Sequence, residues 1–203
     1  MNFLIKTKNQ KSKITLFIFL MIGFLNFTQN VFAIENGQAA SDLIGQYADL
    51  SGTTVSYTKS GANNSPNPLG LSGVSYNMAI DSVHHRLFVP DFSNNRVLIF
   101  NLNSSNQLVD KIPDNVLGQT TFYTNTGATT QAGIINPRSV AYDSVNDRLF
   151  VAQGSSAHRV TVYDVASITN GENAVNVLGQ TTFTGSSAAV TQAGMDNPLG
   201  LVY

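Results

Sequence analysis

Residues 115–122 read Asn-Val-Leu-Gly-Gln-Thr-Thr-Phe, and residues 176–183 repeat the same eight letters without a change. When the comparison is continued without gaps, 115–137 and 176–198 share 15 identical residues in 23 positions. Unrelated segments share far fewer identities than this, so the chain contains an internal duplication.

A second pair of segments repeats at nearly the same interval. Asp81–Val89 reads Asp-Ser-Val-His-His-Arg-Leu-Phe-Val, and Asp143–Val151 reads Asp-Ser-Val-Asn-Asp-Arg-Leu-Phe-Val. The 95–100 segment then matches 158–163, so the three spacings are 61, 62 and 63 residues. Repeats of this length are typical of an array of small units and not of a single closed fold.

A fainter copy lies upstream, where the Leu-Ile-Gly-Gln of 43–46 parallels the Val-Leu-Gly-Gln of 116–119. That unit is 73 residues long, and aligning Asn67-Pro68 with Asn136-Pro137 places part of the excess between Pro68 and Asp81. The repeat units therefore span about 43–117, 118–178 and 179–203, of which the last is incomplete.

Within each unit the apolar residues favour short strands separated by turn-forming clusters of Asp, Ser and Asn. The predicted strands are Val74–Ile80, Arg86–Val89, Arg96–Phe100 and Asn115–Leu117, and then 138–142, 148–152, 159–163 and 175–178. Asp81 and Asp143 begin hairpin loops in which their carboxylates satisfy local backbone amides. Four short strands per unit predict an all-β chain of four-stranded antiparallel β-propeller blades. Matching positions, such as Leu87/Leu149, Val89/Val151 and Val97/Val160, should be buried alike.

The residues between 87 and 100, Leu-Phe-Val-Pro-Asp-Phe-Ser-Asn-Asn-Arg-Val-Leu-Ile-Phe, resemble the NHL repeat, whose core reads roughly Leu-Tyr-Val-Ala-Asp-x-x-Asn-Asn-Arg-Val. Asn136-Pro137 and the Asn-Pro-Leu-Gly-Leu of 197–201 resemble the opening of that repeat, and Val-Leu-Gly-Gln-Thr-Thr-Phe resembles the spacer of exported bacterial NHL proteins. The resemblance covers about 43–203. The second unit departs from the pattern, with Gln153 in place of Asp91 and no Asn-Asn pair before Arg159.

Other propeller families fit less well. The lactonase-like and surface-layer types have strands of similar composition and stay open as alternatives. The absence of Trp disfavours WD40 repeats, and the absence of a Gly-Gly pair disfavours kelch repeats.

The number of units is small for a propeller. Residues 34–203 hold about 2.5 units, whereas propellers close with roughly 4–8 blades. We therefore expect either the N-terminal portion of a longer propeller or a ring completed by self-association. In isolated 34–203 nothing covers the outer face of the 136–179 blade, so that face should expose apolar residues.

The N-terminus has the layout of a secretory signal peptide over 1–33. A basic stretch with Lys6, Lys8, Lys11 and Lys13 precedes the apolar run 14–25, and the segment ends in Val-Phe-Ala. The apolar run is shorter than the ~20 residues that cross a bilayer, so no membrane span is expected after cleavage, although a retained anchor is the alternative. A secreted, cell-surface or periplasmic location follows.

Composition narrows the classes of function. The chain has no Cys, which excludes disulfides, thiolate zinc sites and Cys nucleophiles. Without 1–33, seven basic residues face twelve acidic ones, a net charge of −5. That charge gives no electrostatic basis for binding nucleic acid.

Six residues form a possible ligand-binding rim, since the resemblance places their turns at one end of the ring: Asp91, Asn94, Asn95, Arg96, His158 and Arg159. Alternatively, Asp91 and Asn94 satisfy turn amides while Arg96 lies across the blade. No catalytic set, cofactor site or metal site is predicted. His84 and His85 are adjacent and should point in opposite directions.

The sequence thus predicts an exported NHL-type propeller that binds protein, peptide or glycan. A propeller enzyme of lyase or lactonase type is one alternative, and a non-functional fragment of a longer propeller is the other.

Overall fold

The structure is a computed structural model, and it describes residues 36–37, 39, 43–47, 56, 65–73 and 75–203. The chain divides into two compact units, 1–41 and 42–203. The first unit contributes three described residues, and the predicted signal peptide 1–33 lies outside the described part. Among the residues that are described, no helix is long and apolar enough to span a membrane.

The described part of the second unit is an all-β, propeller-like structure with two four-stranded antiparallel sheets. The first sheet contains β1 (Ala79–Asp81), β2 (Arg86–Asp91), β3 (Arg96–Asn101) and β4 (Asn115–Leu117). The second contains β5 (Pro137–Asp143), β6 (Arg148–Gln153), β7 (Arg159–Asp164) and β8 (Asn176–Leu178). In both sheets the strands lie in sequence order, which confirms the predicted four-stranded blade.

One predicted strand is shorter than expected. β1 begins at Ala79 and not near residue 74, which is not described. Asn77 instead turns its side chain to the second sheet, where its Oδ1 accepts hydrogen bonds from Ser139 Oγ and Val140 N at 2.7 and 2.9 Å. This segment therefore links the two sheets and does not lengthen the β1–β2 ladder.

The hairpin loops form as the Asp residues predict. Asp81 Oδ1 accepts hydrogen bonds from the amides of Val83 and His84, both at 3.0 Å. Asp143 Oδ1 accepts from the amides of Val145 and Asn146 at 2.8 and 3.2 Å. Each carboxylate therefore caps its own turn, as Asp does in short loops.

The main core lies between the two sheets. Side chains alternate across each strand, so each sheet has two faces. One face of the first sheet packs against one face of the second, and the core between them contains Phe88, Val97, Ile99, Leu117, Val140, Leu149, Val151 and Tyr163. A smaller cluster on the other face of the first sheet contains Val89, Leu98, Phe100 and Val116, against which Ile44 and Leu71 pack.

Burial of equivalent residues agrees at two of the three compared pairs. Val89/Val151 and Val97/Val160 are buried in both sheets, whereas Leu149 is buried and Leu87 is only half-buried. Leu149 faces the first sheet, but Leu87 faces the cluster that Ile44 and Leu71 line. The neighbour that covers a position therefore decides its burial.

The free face of the second sheet is open at its margins. Leu178 is 43% exposed and Phe150 is half-buried, whereas their equivalents Leu117 and Phe88 are fully buried. The ring of Tyr203 stacks on Phe150 at 6.1 Å between ring centres. The predicted exposure does not extend to Val160 and Val162, which are buried.

Each spacer loop folds back on the strand that precedes it. Gly118 forms a parallel bridge with Gly133, and Gly179 forms the same bridge with Gly194. Ile134 lies against Gly118 and Met195 against Gly179, while Leu71 lies against Gly45. Leu71 therefore corresponds to Ile134, and most of the extra length of the first unit lies before Asn67. The Asn-Pro alignment had placed part of it between Pro68 and Asp81.

Candidate functional site

Arg96 is fully buried at the start of β3 and binds three segments of chain at once. Its Nη2 donates to the carbonyl oxygens of Asn67 and Gly70 at 3.0 and 2.9 Å. Its Nη1 donates to the carbonyl oxygen of Phe122 at 2.6 Å. The guanidinium therefore joins the two spacer loops to the blade.

Asp91 provides the counter-charge. Its Oδ2 accepts from Arg96 Nε at 2.8 Å and from Asn94 Nδ2 at 2.9 Å, and its Oδ1 accepts from Ser72 N at 2.7 Å. Burial raises the pKa of Asp91, and the attraction of Arg96 and these hydrogen bonds act against that rise. All the carboxylate contacts are internal.

Arg159 repeats this arrangement without a carboxylate. Its Nη2 donates to the carbonyl oxygens of Thr130 and Gly133 at 3.3 and 3.0 Å, and its Nη1 donates to that of Phe183. Gln153 takes the place of Asp91, with its Oε1 3.3 Å from Arg159 Nε. Burial without a counter-charge lowers the pKa of Arg159.

Asn95 and His158 are the two predicted rim residues that stay partly exposed. Both have positive φ angles, 52° and 46°, which Asn and His adopt more readily than most residues. Their carbonyl oxygens accept hydrogen bonds from the side-chain amides of Gln119 and Gln180 at 3.0 and 2.9 Å. The repeated Gly-Gln pair thus anchors each spacer to this turn.

The structure therefore brings the six predicted rim residues to equivalent turns but buries four of them. Asp91, Asn94, Arg96 and Arg159 are at most 2% exposed. Their polar groups hold the turns and spacers together, which is the alternative that the sequence left open. A ligand at this end of the sheets would first meet other side chains.

Arg138 is such a side chain, and the sequence reasoning did not single it out. The pairing of β5 with β6 shifts register between Pro137 and Ser139, so Arg138 occupies a β-bulge. Bulges redirect side chains, and they occur often beside functional sites. The Arg138 guanidinium carbon lies 4.4 Å from the ring centre of Phe92 and 5.9 Å from that of Tyr76.

The guanidinium nitrogens of Arg138 form few hydrogen bonds within the protein. Its Nη2 lies 3.5 Å from Ser155 Oγ, and its Nε is buried without a hydrogen-bond partner. Tyr76 is 57% exposed beside it. One sequence signal was available: the repeat has Leu199 where Arg138 stands, so this cation is not part of the repeated framework.

A second polar cluster lies at the opposite ends of the sheets, around the β1–β2 and β5–β6 loops. Arg86 pairs with Asp81 through Nε at 2.9 Å and Nη2 at 2.5 Å, and its Nη1 donates to the carbonyl oxygen of Val165. His84 Nδ1 lies 3.0 Å from Asp81 and 3.4 Å from Asp147. The cluster links the two sheets by charge.

The ionisation of this cluster follows its contacts. Burial alone would raise the pKa of Asp81, but the His84 amide and Arg86 outweigh burial and hold that pKa at about 2. Tyr142 donates to Asp147 Oδ1 at 2.6 Å, and burial together with that bond raises the pKa of Tyr142. Asp81 is therefore an anion at all physiological pH values.

The cluster also has the outline of a metal site. Asp81, His84 and Asp147 offer ligand atoms within 4.8 Å of one another. Arg86, however, already places its positive charge on Asp81. His85 turns away from His84, and its Nδ1 contacts Asn106 Oδ1 at 2.7 Å. The two neighbouring rings therefore diverge as predicted, although in a turn and not in a strand.

A cavity of about 310 Å³ lies along the 118–133 spacer. Gly171, between β7 and β8, also lines it, and the Gly171 amide donates to the carbonyl oxygen of Val116 at 3.0 Å. Its lining is rich in hydroxyl groups and includes Thr120, Thr124, Thr126 and Thr130.

No protein-family model and no curated protein sequence matches this chain.

Proposed function

We propose that this chain is an exported binding module of the NHL-propeller type, and that it recognises its ligand at the rim that carries Arg138. We call Tyr76, Phe92, Arg138 and Ser155 the Arg138 rim. The proposal draws its family from the resemblance of 43–203 to the NHL repeat. It draws its binding site from one contrast between repeated and unrepeated residues.

That contrast carries the proposal. The polar residues that recur in both sheets, Arg96 and Arg159, are fully buried and bonded to backbone carbonyls. The unrepeated Arg138 and its exposed neighbour Tyr76 instead offer a cation and an aromatic ring at the surface. A residue that differs between matching positions of the two repeats is not needed for the shared fold. Such a residue is therefore available to bind a ligand.

Binding is favoured over catalysis by the state of the titratable groups. An enzyme of lyase or lactonase type would need a metal or a carboxylate–His pair facing the substrate. His84 and Asp81 do form such a pair, at 3.0 Å. Arg86 already forms an ion pair with the Asp81 carboxylate, and His84 also lies 3.4 Å from Asp147 in the β5–β6 loop of the second sheet. The His84–Asp81 pair is therefore part of the contact between the two sheets.

Two experiments test the proposal. Screening the purified protein against arrayed peptides and oligosaccharides should find ligands whose binding is lost in Tyr76→Ser. The matched control is Arg148→Leu, since Arg148 lies at the other end of the sheets and pairs with Asp164 at 2.9 Å. Ligands that bind both variants equally well, or no ligand at all, would argue against the rim.

Export is tested separately. The material recovered outside the cytoplasm should begin at or near Ile34, because the Val-Phe-Ala segment precedes it. Recovery of the protein from the cytoplasm with Met1 still attached would contradict export.

A further inference from the structure

We infer that the Arg138 rim binds the carboxylate of an acidic sugar, with Tyr76 packing against the sugar ring. This inference rests on the proposed binding function and names its ligand class.

The charge of Arg138 is the first argument. The chain has five arginines, and three of them, Arg86, Arg96 and Arg148, reach a carboxylate at 2.5, 2.8 and 2.9 Å. Arg159 is surrounded by backbone carbonyls instead. Among the described residues, the Arg138 guanidinium forms no ion pair, and its one hydrogen bond is the 3.5 Å contact to Ser155 Oγ. A carboxylate is a partner that a guanidinium binds through two parallel, charge-assisted hydrogen bonds.

The rigidity of the guanidinium is the second argument. The β-bulge frees Arg138 from the β5–β6 ladder, and Phe92 stacks on it at 4.4 Å. A stacked arginine keeps its planar fork in one orientation, so less entropy is lost when a ligand binds. The Arg138 side chain is therefore preorganised for an anion.

The surroundings favour a sugar over a peptide. Tyr76 exposes an aromatic ring, and Ser93, Ser155 and Ser156 expose short hydroxyl side chains at the two turns. A sugar ring offers an apolar C–H face and several hydroxyls, which match an aromatic surface with a few polar groups. A peptide strand would need free backbone amides. The amides of Ser93 and Ser155 are already donated, to Ser72 O and to Asn197 Oδ1.

Isothermal titration calorimetry tests the inference with three probes. These are oligogalacturonate, the neutral oligogalactose of equal length, and an acetylated peptide rich in Asp and Glu. The wild-type protein should bind oligogalacturonate and bind the neutral sugar at least tenfold more weakly. Arg138→Leu, which installs the residue of the next repeat, should lower the affinity for oligogalacturonate about 10- to 100-fold. Arg138→Lys should restore part of it, and Arg148→Leu should leave it unchanged.

Thermal unfolding by circular dichroism shows that each variant is folded. Equal affinity of Arg138→Leu and wild type for oligogalacturonate would overturn the inference, as would a preference for the acidic peptide. The wild-type protein could instead bind neutral and acidic sugars equally well and lose that binding in Tyr76→Ser but not in Arg138→Leu. That result would overturn the inference that a carboxylate is recognised, but it would support the proposed rim. Failure of the rim itself would appear as ligands that are insensitive to Tyr76→Ser.

Discussion

Arg96 and Arg159 bind matching backbone carbonyls in the two sheets, but only Arg96 has a carboxylate partner. Phe122 and Phe183, which occupy the same place in the repeated spacer, each accept one bond from the two guanidinium groups. Asp91 stands beside Arg96, and Gln153 stands beside Arg159. The two sheets therefore share the hydrogen-bond geometry of the buried arginine but differ in whether a carboxylate neutralises its charge.

This difference predicts unequal costs for removing the two arginines. Arg96→Met should lower the free energy of unfolding by about 3–5 kcal/mol, because it leaves Asp91 buried and uncompensated. Arg159→Met should cost about 1–3 kcal/mol, since it leaves only neutral acceptors. Urea unfolding at pH 7 measures both. Adding Asp91→Asn to Arg96→Met should recover part of the loss, and equal costs for the two single variants would contradict the charge argument.

The uncompensated Arg159 predicts a stabilising substitution. Gln153→Glu keeps the side-chain length and places a carboxylate where Gln153 Oε1 contacts Arg159 Nε at 3.3 Å. Thr161, which now accepts from Gln153 Nε2 at 2.7 Å, can rotate its hydroxyl to donate. We expect a gain of about 1–2 kcal/mol at pH 7. The gain should vanish in acid, and a destabilised variant at pH 7 would show that desolvation of the new charge dominates.

The Asp81 cluster predicts acid sensitivity. The folded-state pKa of Asp81 is about 2, below its ordinary 3.8. Its ionised form therefore stabilises the folded state above pH 3.8, and this contribution is lost as the pH falls from 3.8 towards 2. The contribution is about 2 kcal/mol at neutral pH. Chemical unfolding between pH 2 and 5 should show a smaller pH dependence in Asp81→Asn. The same substitution at the exposed Asp110, Asp110→Asn, provides the comparison.

The repeated spacer predicts an intolerant glycine. Gly118 has a φ of 86°, and a Cβ there would lie 2.7 Å from Ile134 Cβ and 2.8 Å from Asn95 O. Gly118→Ala should therefore destabilise the protein by more than the ~1 kcal/mol of backbone strain alone. Gly200→Ala is the control, because a Cβ there meets no atom within 4 Å. A fall in melting temperature for Gly118→Ala alone is expected, and similar melting temperatures for both variants would contradict the close packing.

Exposed apolar residues at the edge strand β1 of the first sheet predict self-association. Met78 and Ile80 are 58% and 51% exposed, and Val83 in the following loop is 65% exposed. Neighbouring apolar residues that are this exposed promote association between molecules. Light scattering of the wild-type protein should show oligomers at micromolar concentration, and Met78→Ser with Ile80→Ser should reduce them. A monodisperse wild-type monomer would contradict the prediction that these exposed residues drive self-association.

The sequence alone determined the repeat, the strands and the hairpins. Strand periodicity and Asp-initiated turns depend on residues that are close along the chain, so Arg86–Asp91 and Arg148–Gln153 could be predicted within one or two residues. The expectation that the turns carrying Asp91 and His158 lie at one end of the ring came from the resemblance to the NHL repeat and not from strand periodicity. Those local patterns left the internal bonding of Arg96 as one of two alternatives, because the carbonyl oxygens of Asn67 and Phe122 that it binds lie more than 20 residues away.

Which side chains face solvent and which face one another depends on how the sheets pack. Leu87 and Leu149 both lie in the sequence Arg-Leu-Phe-Val but have different spatial neighbours, so one is half-buried and the other buried. Arg138 meets Phe92 because a bulge redirects it and because the first sheet packs beside the second. Such contacts depend on how separate sheets are arranged in space, and residue patterns along the chain carry that arrangement only weakly.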